Sequence, residues 1–203
     1  AADKQGAQSL EGKSGKAFSK AMSEASKHNA GAVKAQPARQ SKSSRAAAPP
    51  KFRDVQLATL VDTVPGGNLW MHEIKFDGYR ALAAVSGEQV RIYTRSGLDW
   101  SDKFAPLIEK LAALDLPPSL IDGEIVARGP DGNPNFSSLQ AVLKRGHGAQ
   151  KVTDALEFHA FDLLELDGRD LAPLPNIERK ERLEALLAEA KAPLFVADHV
   201  IAT

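Results

Sequence analysis

After Phe52 the large apolar residues arrive in short runs of strand length, and most of the segments between them are turns of a few residues. Antiparallel strands can be joined by such turns, whereas parallel neighbours need a crossover of a dozen residues or more. Trp70–Val85 (WMHEIKFDGYRALAAV) reads as a strand, a glycine bend and a second strand, and Gln89–Thr94 alternates as the next. Ser119–Ala127 (SLIDGEIVA) predicts another strand, followed by a turn at Asp131-Gly132-Asn133-Pro134. Glu157–Leu166 (EFHAFDLLEL) is apolar on both faces until Asp167-Gly168, which predicts a buried strand entering a hairpin. Helical stripes lie between these runs. One starts at Ser101 or Asp102 and carries Phe104, Leu107, Ile108, Leu111 and Leu114. A short one is capped by Ser137 and carries Leu139, Val142 and Leu143. A third is capped by Asn176, with Leu183, Leu186 and Leu187 inward, and Leu194–Val200 begins a last strand. The pattern predicts an α+β fold with largely antiparallel sheets and flanking helices.

The segment before this body has another character. Residues 1–50 are rich in Ala, Ser, Lys and Gly and hold too few apolar groups to offset the entropy of ordering, so they read as a disordered basic linker. A transient helix over Leu10–Ser26 is the one local feature. Residues 1–52 carry ten Lys/Arg against three Asp/Glu, a net of +7, while the whole chain sums to zero. A basic arm therefore precedes an acidic body at 51–203, and the arm either attracts a nucleic-acid backbone or simply spaces domains. With no cysteine, disulfides and thiolate metal sites are excluded. No apolar run is long enough to cross a bilayer, and no signal-peptide pattern opens the chain, so a cytoplasmic setting is expected. His72, His147, His159 and His199 lack the spacing of a zinc site.

Chemistry concentrates in Glu73-Ile74-Lys75-Phe76-Asp77-Gly78-Tyr79-Arg80. On a strand Glu73, Lys75 and Asp77 would share one face, with Ile74 and Phe76 toward the core and Arg80 returning after the Gly78 bend. The bland alternative is an exposed strand face with alternating charges. A lysine amine attacks phosphorus only when neutral, which at an ordinary pKa near 10.4 is about one molecule in 2,500 at pH 7. Nearby positive charge, from Arg80 or a cation on a triphosphate, favours that form.

KFDGYR resembles the Lys-x-Asp-Gly-x-Arg motif of the covalent nucleotidyltransferases, which comprise ATP-dependent DNA ligases, RNA ligases and mRNA capping enzymes. Three further segments match in the family's order: Thr94-Arg95-Ser96-Gly97, Leu120-Ile121-Asp122-Gly123-Glu124, and Phe158–Leu164 (FHAFDLL). From about Pro50 onward the chain resembles the ligase module of bacterial end-joining ligases, in truncated form. The resemblance implies that Lys75 forms a lysyl-AMP phosphoramidate and that Glu73 accepts a hydrogen bond from the adenine amino group. It implies that Ile74 belongs to the ATP site, that Arg80 holds the ribose, and that Arg95 contacts sugar or phosphate. Glu124 would bind the ribose hydroxyl or the metal shell, Phe161 would stack on adenine, and Asp77 would assist the metal. Read blandly, Glu124 is a strand carboxylate, Phe161 is core and Arg95 is a solvated hairpin residue. Asp122 reads as structural, bonding backbone at the bend before Gly123.

The implied cofactors are ATP with Mg2+ or Mn2+, and the implied substrate is nicked or broken double-stranded DNA. Other repair domains on the same polypeptide and an end-binding protein are the expected partners, at the bacterial nucleoid and without a membrane. The family continues with a Glu-Gly motif, a Lys-x-Lys motif that clamps the α-phosphate, and an OB-fold domain. None falls within residues 1–203, so this length is expected not to seal nicks. Two other functions fit the motifs less fully: an RNA ligase or capping-type enzyme, and a non-catalytic nucleic-acid-binding module.

Overall fold

The computed structural model describes residues 48–67, 70–129, 132–144 and 156–201. The expectations for the basic linker up to residue 47, the Leu10–Ser26 helix and His147 lie outside the described residues.

Among the described residues, eight strands and three α-helices follow in order. They are β1 (Met71–Glu73), β2 (Tyr79–Ser86), β3 (Gln89–Thr94), α1 (Ala105–Ala112), β4 (Ser119–Ala127) and α2 (Phe136–Lys144), then β5 (Leu156–Leu166), β6 (Arg169–Asp170), α3 (Asn176–Leu186), β7 (Leu194–Val196) and β8 (His199–Ile201). The main sheet runs β3-β2-β4-β5-β6, antiparallel throughout, and β7 joins β5 in parallel. Since α3 lies between β5 and β7, the chain has the crossover length that a parallel pair requires. β1 and β8 form a separate two-stranded ribbon. The expected α+β architecture with largely antiparallel sheets is present.

The sheet buries both faces. Ala81, Ala83 and Val85 of β2 join Ile121, Ile125, Phe158, Ala160 and Leu163 in the larger core, under Leu107 and Leu111 of α1 and Leu183 of α3. Leu82, Ala84, Leu120 and Leu164 point to the other face, where Phe52 and Val55 of the preceding segment cover them. This is why β2 is apolar at nearly every position instead of alternating.

Several local expectations change. The predicted long strand from Trp70 breaks: β1 ends at Glu73, and Ile74–Asp77 is a loop. Ile74, expected in the core, is 43% exposed. Ser101 opens a 3-10 turn before α1, and Pro106 sits in the first turn of that helix, where a missing N–H costs nothing. Asn135 rather than Ser137 caps α2, its Oδ1 accepting the Ser138 N–H at 2.9 Å. No side chain caps α3, which follows Pro175 directly, so Asn176 does not play that role. The Leu194–Val200 strand divides into β7 and β8 around Ala197 and Asp198. Asp167 and Gly168 both adopt positive φ, 50° and 72°, giving the tight hairpin turn that Asp-Gly favours.

Two bulges matter for function. Register with β4 slips in β5 between the Asp122–Asp162 and Gly123–Ala160 pairs, leaving Phe161 as the extra residue, and again at Leu164. Gly123 faces this irregular strand. A Cβ there would lie 2.5 Å from the Phe158 ring and 2.7 Å from the His159 carbonyl oxygen. Gly123→Ala should therefore destabilise the domain by about 1–3 kcal/mol in urea unfolding, and a loss indistinguishable from zero would contradict this packing.

Candidate active site

Register brings the site together. β2 and β4 pair Arg80 with Glu124 and Leu82 with Asp122, so Arg80, Asp122 and Glu124 lie on the face away from the larger core. The Arg80 guanidinium grips Asp122 with two bonds, Nε to Oδ1 at 3.0 Å and Nη2 to Oδ2 at 2.7 Å. Nη2 also donates to the Gln56 carbonyl at 2.6 Å. Burial disfavours the charge on Arg80, but Asp122, Glu124 and Asp162 outweigh it and hold the guanidinium above its ordinary range. Asp122 makes the backbone bond expected at Gly123, and it is also the bidentate anchor of Arg80, which the sequence did not indicate.

Phe161 reaches the same place through its bulge. The Arg80 guanidinium carbon stands 5.3 Å from the Phe161 ring centre, a cation–π contact. Ordinary alternation would send Phe161 and Asp162 to opposite faces. The extra residue lets Phe161 meet Arg80 while Asp162 pairs across the sheet with Asp122. Phe161 is half-buried, not core.

Arg80, Arg95 and Glu124 line one cavity of about 670 Å³, together with Gly78, Thr94, Ser96, Leu98 and Trp100. That volume is in the range of small-molecule sites, about 300–1,000 Å³. Arg95 enters from the turn after β3, where Gly97, at φ 82°, lets the chain pass over the Phe52 ring. Glu124 accepts the Gly78 N–H at 3.1 Å. Burial pushes its carboxyl above the ordinary range, against the pull of the Gly78 N–H, Arg80 and Lys75. Gly78 is required by close approach as much as by bending, since a Cβ would collide with the Ile125 carbonyl and lie 2.9 Å from Val126.

Lys75 is exposed on the loop, close enough to Glu124 for its charge to act on that carboxyl. Asp77, also exposed, directly precedes Gly78. Glu73, expected beside Lys75 on one strand face, is instead ion-paired with Lys180 of α3. The cavity thus gathers Arg80, Arg95 and Glu124, while Phe161 meets Arg80, the charge of Lys75 acts on Glu124, and Glu73 pairs with Lys180 outside the lining. No three of the described His, Asp or Glu residues gather into a metal cluster.

Other contributors were not foreseen. Asp162 is clamped by Arg179 at 2.7 and 2.8 Å. Gln56 bridges the two arginines, its carbonyl on Arg80 and its Oε1 accepting from Arg179 Nη2 at 2.8 Å. Lys180 was legible in retrospect, because it stands three residues before Leu183 on the inward stripe of α3. Phe76 stacks on His159 at 4.1 Å, and His159 on Phe195 at 5.0 Å, which docks the Lys75 loop onto β5 and β7. Burial pushes the His159 pKa below its ordinary 6.5, aided by Arg128 and opposed by Glu157 and Asp198. The unfolded chain then binds the proton better, so stability should fall as pH drops through 6.5 toward the folded value. His159→Phe keeps the ring stack and should flatten that decline between about pH 7 and pH 5 in denaturant titrations. An unchanged slope would assign it to other groups.

The chain is 38% identical over 153 residues to the multifunctional non-homologous end joining protein LigD of Pseudomonas aeruginosa, covering 75% of this chain and 18% of that one. It is 32% identical to a DNA ligase of Natronomonas pharaonis, covering 74% and 28% respectively. Among solved structures, the ligase domain of M. tuberculosis LigD aligns with a TM-score of 0.51 and 34% identity, over 64% of this chain and 40% of that one. A mycobacterial DNA ligase D complexed with ATP and MES aligns at 0.50 and 35% identity, over 65% and 40%. The chain thus spans well under half the length of these relatives. The model of the ATP dependent DNA ligase domain matches residues 53–202, which carry the cavity and the lysine loop, and the chain belongs to that family.

Proposed function

We propose that this chain supplies the nucleotide-binding half of a DNA-sealing reaction. The Nζ of Lys75 attacks the α-phosphorus of ATP, pyrophosphate leaves, and AMP remains on the lysine as a phosphoramidate. The adenylate then passes to the 5′-phosphate at a nick or break in double-stranded DNA. The observation that carries this reading is the convergence of Arg80, Arg95 and Glu124 on one cavity, with Lys75 within electrostatic reach of Glu124.

Arg80, Phe161, Arg95 and Glu124 have tasks that their positions support, and those of Glu73, Ile74 and Asp77 rest on the motif. Arg80, fixed by Asp122, holds the ribose, and Phe161 beneath it offers a ring face for adenine. Arg95 meets sugar or phosphate, and Glu124 takes a ribose hydroxyl. Glu73 accepts from the adenine amino group, and the exposed Ile74 borders the base. Mg2+ or Mn2+ would come as a companion of the triphosphate and would shield its charge, with Asp77 and Glu124 as the carboxylates that could hold it. The described residues hold no helix long and apolar enough to cross a membrane. Work at the bacterial nucleoid, beside other repair domains and an end-binding protein, is the setting this reading proposes.

Incubating the gene product that contains this chain with α-labelled ATP and Mg2+ should place label on the protein. Nicked duplex added afterwards should remove that label and be sealed. Label that forms equally well from RNA-capping substrates and never moves to DNA would sink the proposal.

A further inference from the structure

Lys180 is the most deeply buried cation of the described residues, at 0% exposure. It occupies an inward position of α3, on the stripe that continues through Leu183 and Leu187 to the larger core. An apolar side chain would satisfy that packing without the cost of burying an ammonium group. Instead its Nζ meets Glu73 Oε1. Both atoms are sealed from solvent, and among the described residues no other hydrogen-bond partner reaches either. The Glu73 side chain as a whole keeps 26% of its surface exposed, so the open part lies on the rest of the group.

The neighbouring residue of the helix makes a parallel contact. Arg179, 4% exposed, clamps Asp162, which directly follows Phe161. Two consecutive residues of α3 therefore hold the segment bearing the proposed base-stacking ring and the strand bearing the proposed base-reading carboxylate. Their relative placement is set by one rigid helix rather than by the exposed loop around Lys75.

We propose that Lys180 positions Glu73 for reading the nucleotide base and thereby sets the preference for adenine over guanine. This rests on the reading of Glu73 given above and names the residue that enforces it. Adenine presents an amino donor at its six-position, where guanine presents a carbonyl acceptor. A carboxylate oxygen held still accepts from the first and opposes the second. Released from Lys180, the same carboxylate can turn away, and both bases then meet a less demanding site. Lys180 touches no reacting atom, so it is a positioning residue.

The test compares kcat/KM for lysyl-nucleotide formation from α-labelled ATP and GTP in the gene product that contains this chain. Lys180→Met should lower the ATP-to-GTP ratio by about tenfold or more, chiefly through the KM for ATP. Lys180→Arg, which keeps the charge, should lose clearly less. A ratio within about threefold of the parent for Lys180→Met, in a protein with native circular dichroism, would overturn the inference, as would equal losses for Met and Arg. If Lys180→Met does not fold, Lys180→Gln, which keeps a donor and drops the charge, is judged by the same limits. Glu73→Ala separates the two levels of the argument. If it lowers the ratio and the Lys180 variants do not, only the positioning role fails. If it leaves the ratio unchanged, Glu73 does not read the base and both fall together. In the Glu73→Ala background, Lys180→Met should change the ratio no further.

Discussion

Lys75→Arg should leave the gene product without detectable covalent AMP, a loss of at least about 10³-fold, while noncovalent ATP binding changes by less than about tenfold. The two side chains carry the same charge and similar length, so attraction to the triphosphate survives. What disappears is the nucleophile. A lysine can lose its proton and present a lone pair to phosphorus, whereas a guanidinium with a pKa above about 12 does not. The position of Lys75 is suited to that exchange. It is exposed on a loop whose next residue, Phe76, is pinned by the His159 stack, and whose Gly78 N–H is held by Glu124. Lys75→Ala should abolish the label as well and weaken binding too, since it removes the charge. Label that persists unchanged in Lys75→Arg would reject Lys75 as the nucleophile, and the proposed reaction would then need a different lysine.

The largest stability effect is expected at Asp162. Its carboxylate accepts two bonds from Arg179, whose shortest other contacts are the Leu174 carbonyl at 2.5 Å and Gln56 Oε1 at 2.8 Å. Asp162→Ala leaves a buried guanidinium with neutral acceptors only. Breaking a buried pair from one side costs about 3–5 kcal/mol, which for a domain of this size lowers the melting temperature by on the order of 10 °C. Asp162→Asn, which keeps the shape and one acceptor, should recover part of that loss. Because Asp162 follows the bulged Phe161, ATP binding should weaken in parallel with stability. A melting temperature within about 2 °C of the parent in Asp162→Ala would show that Arg179 is satisfied without its carboxylate.

The sequence determined the strands and the order of the chemical motifs. Ser119–Ala127 and Gln89–Thr94 are strands at the positions their periodicity indicates, because burial of alternate or continuous apolar side chains is a local property of the chain. The Asp167-Gly168 hairpin was equally legible, since few residue pairs tolerate two positive φ angles in succession. The Lys-x-Asp-Gly-x-Arg, Asp-Gly-Glu and Phe-Asp segments marked the family before any coordinates did, and the domain match over 53–202 agrees. What periodicity could not carry was register. Strand spacing alone would have sent Phe161 and Asp162 to opposite faces, and only the pairing of β5 against Gly123 creates the bulge that turns both toward Arg80. The same limit applies to Glu73, where two-residue spacing put it beside Lys75 but the chain leaves the strand at Ile74. Its partner, Lys180, comes from a helix more than a hundred residues away. Periodicity reports which side of an element is buried, whereas the choice of ionic partner depends on which distant element lies opposite, and that is decided only when the sheet and α3 pack together.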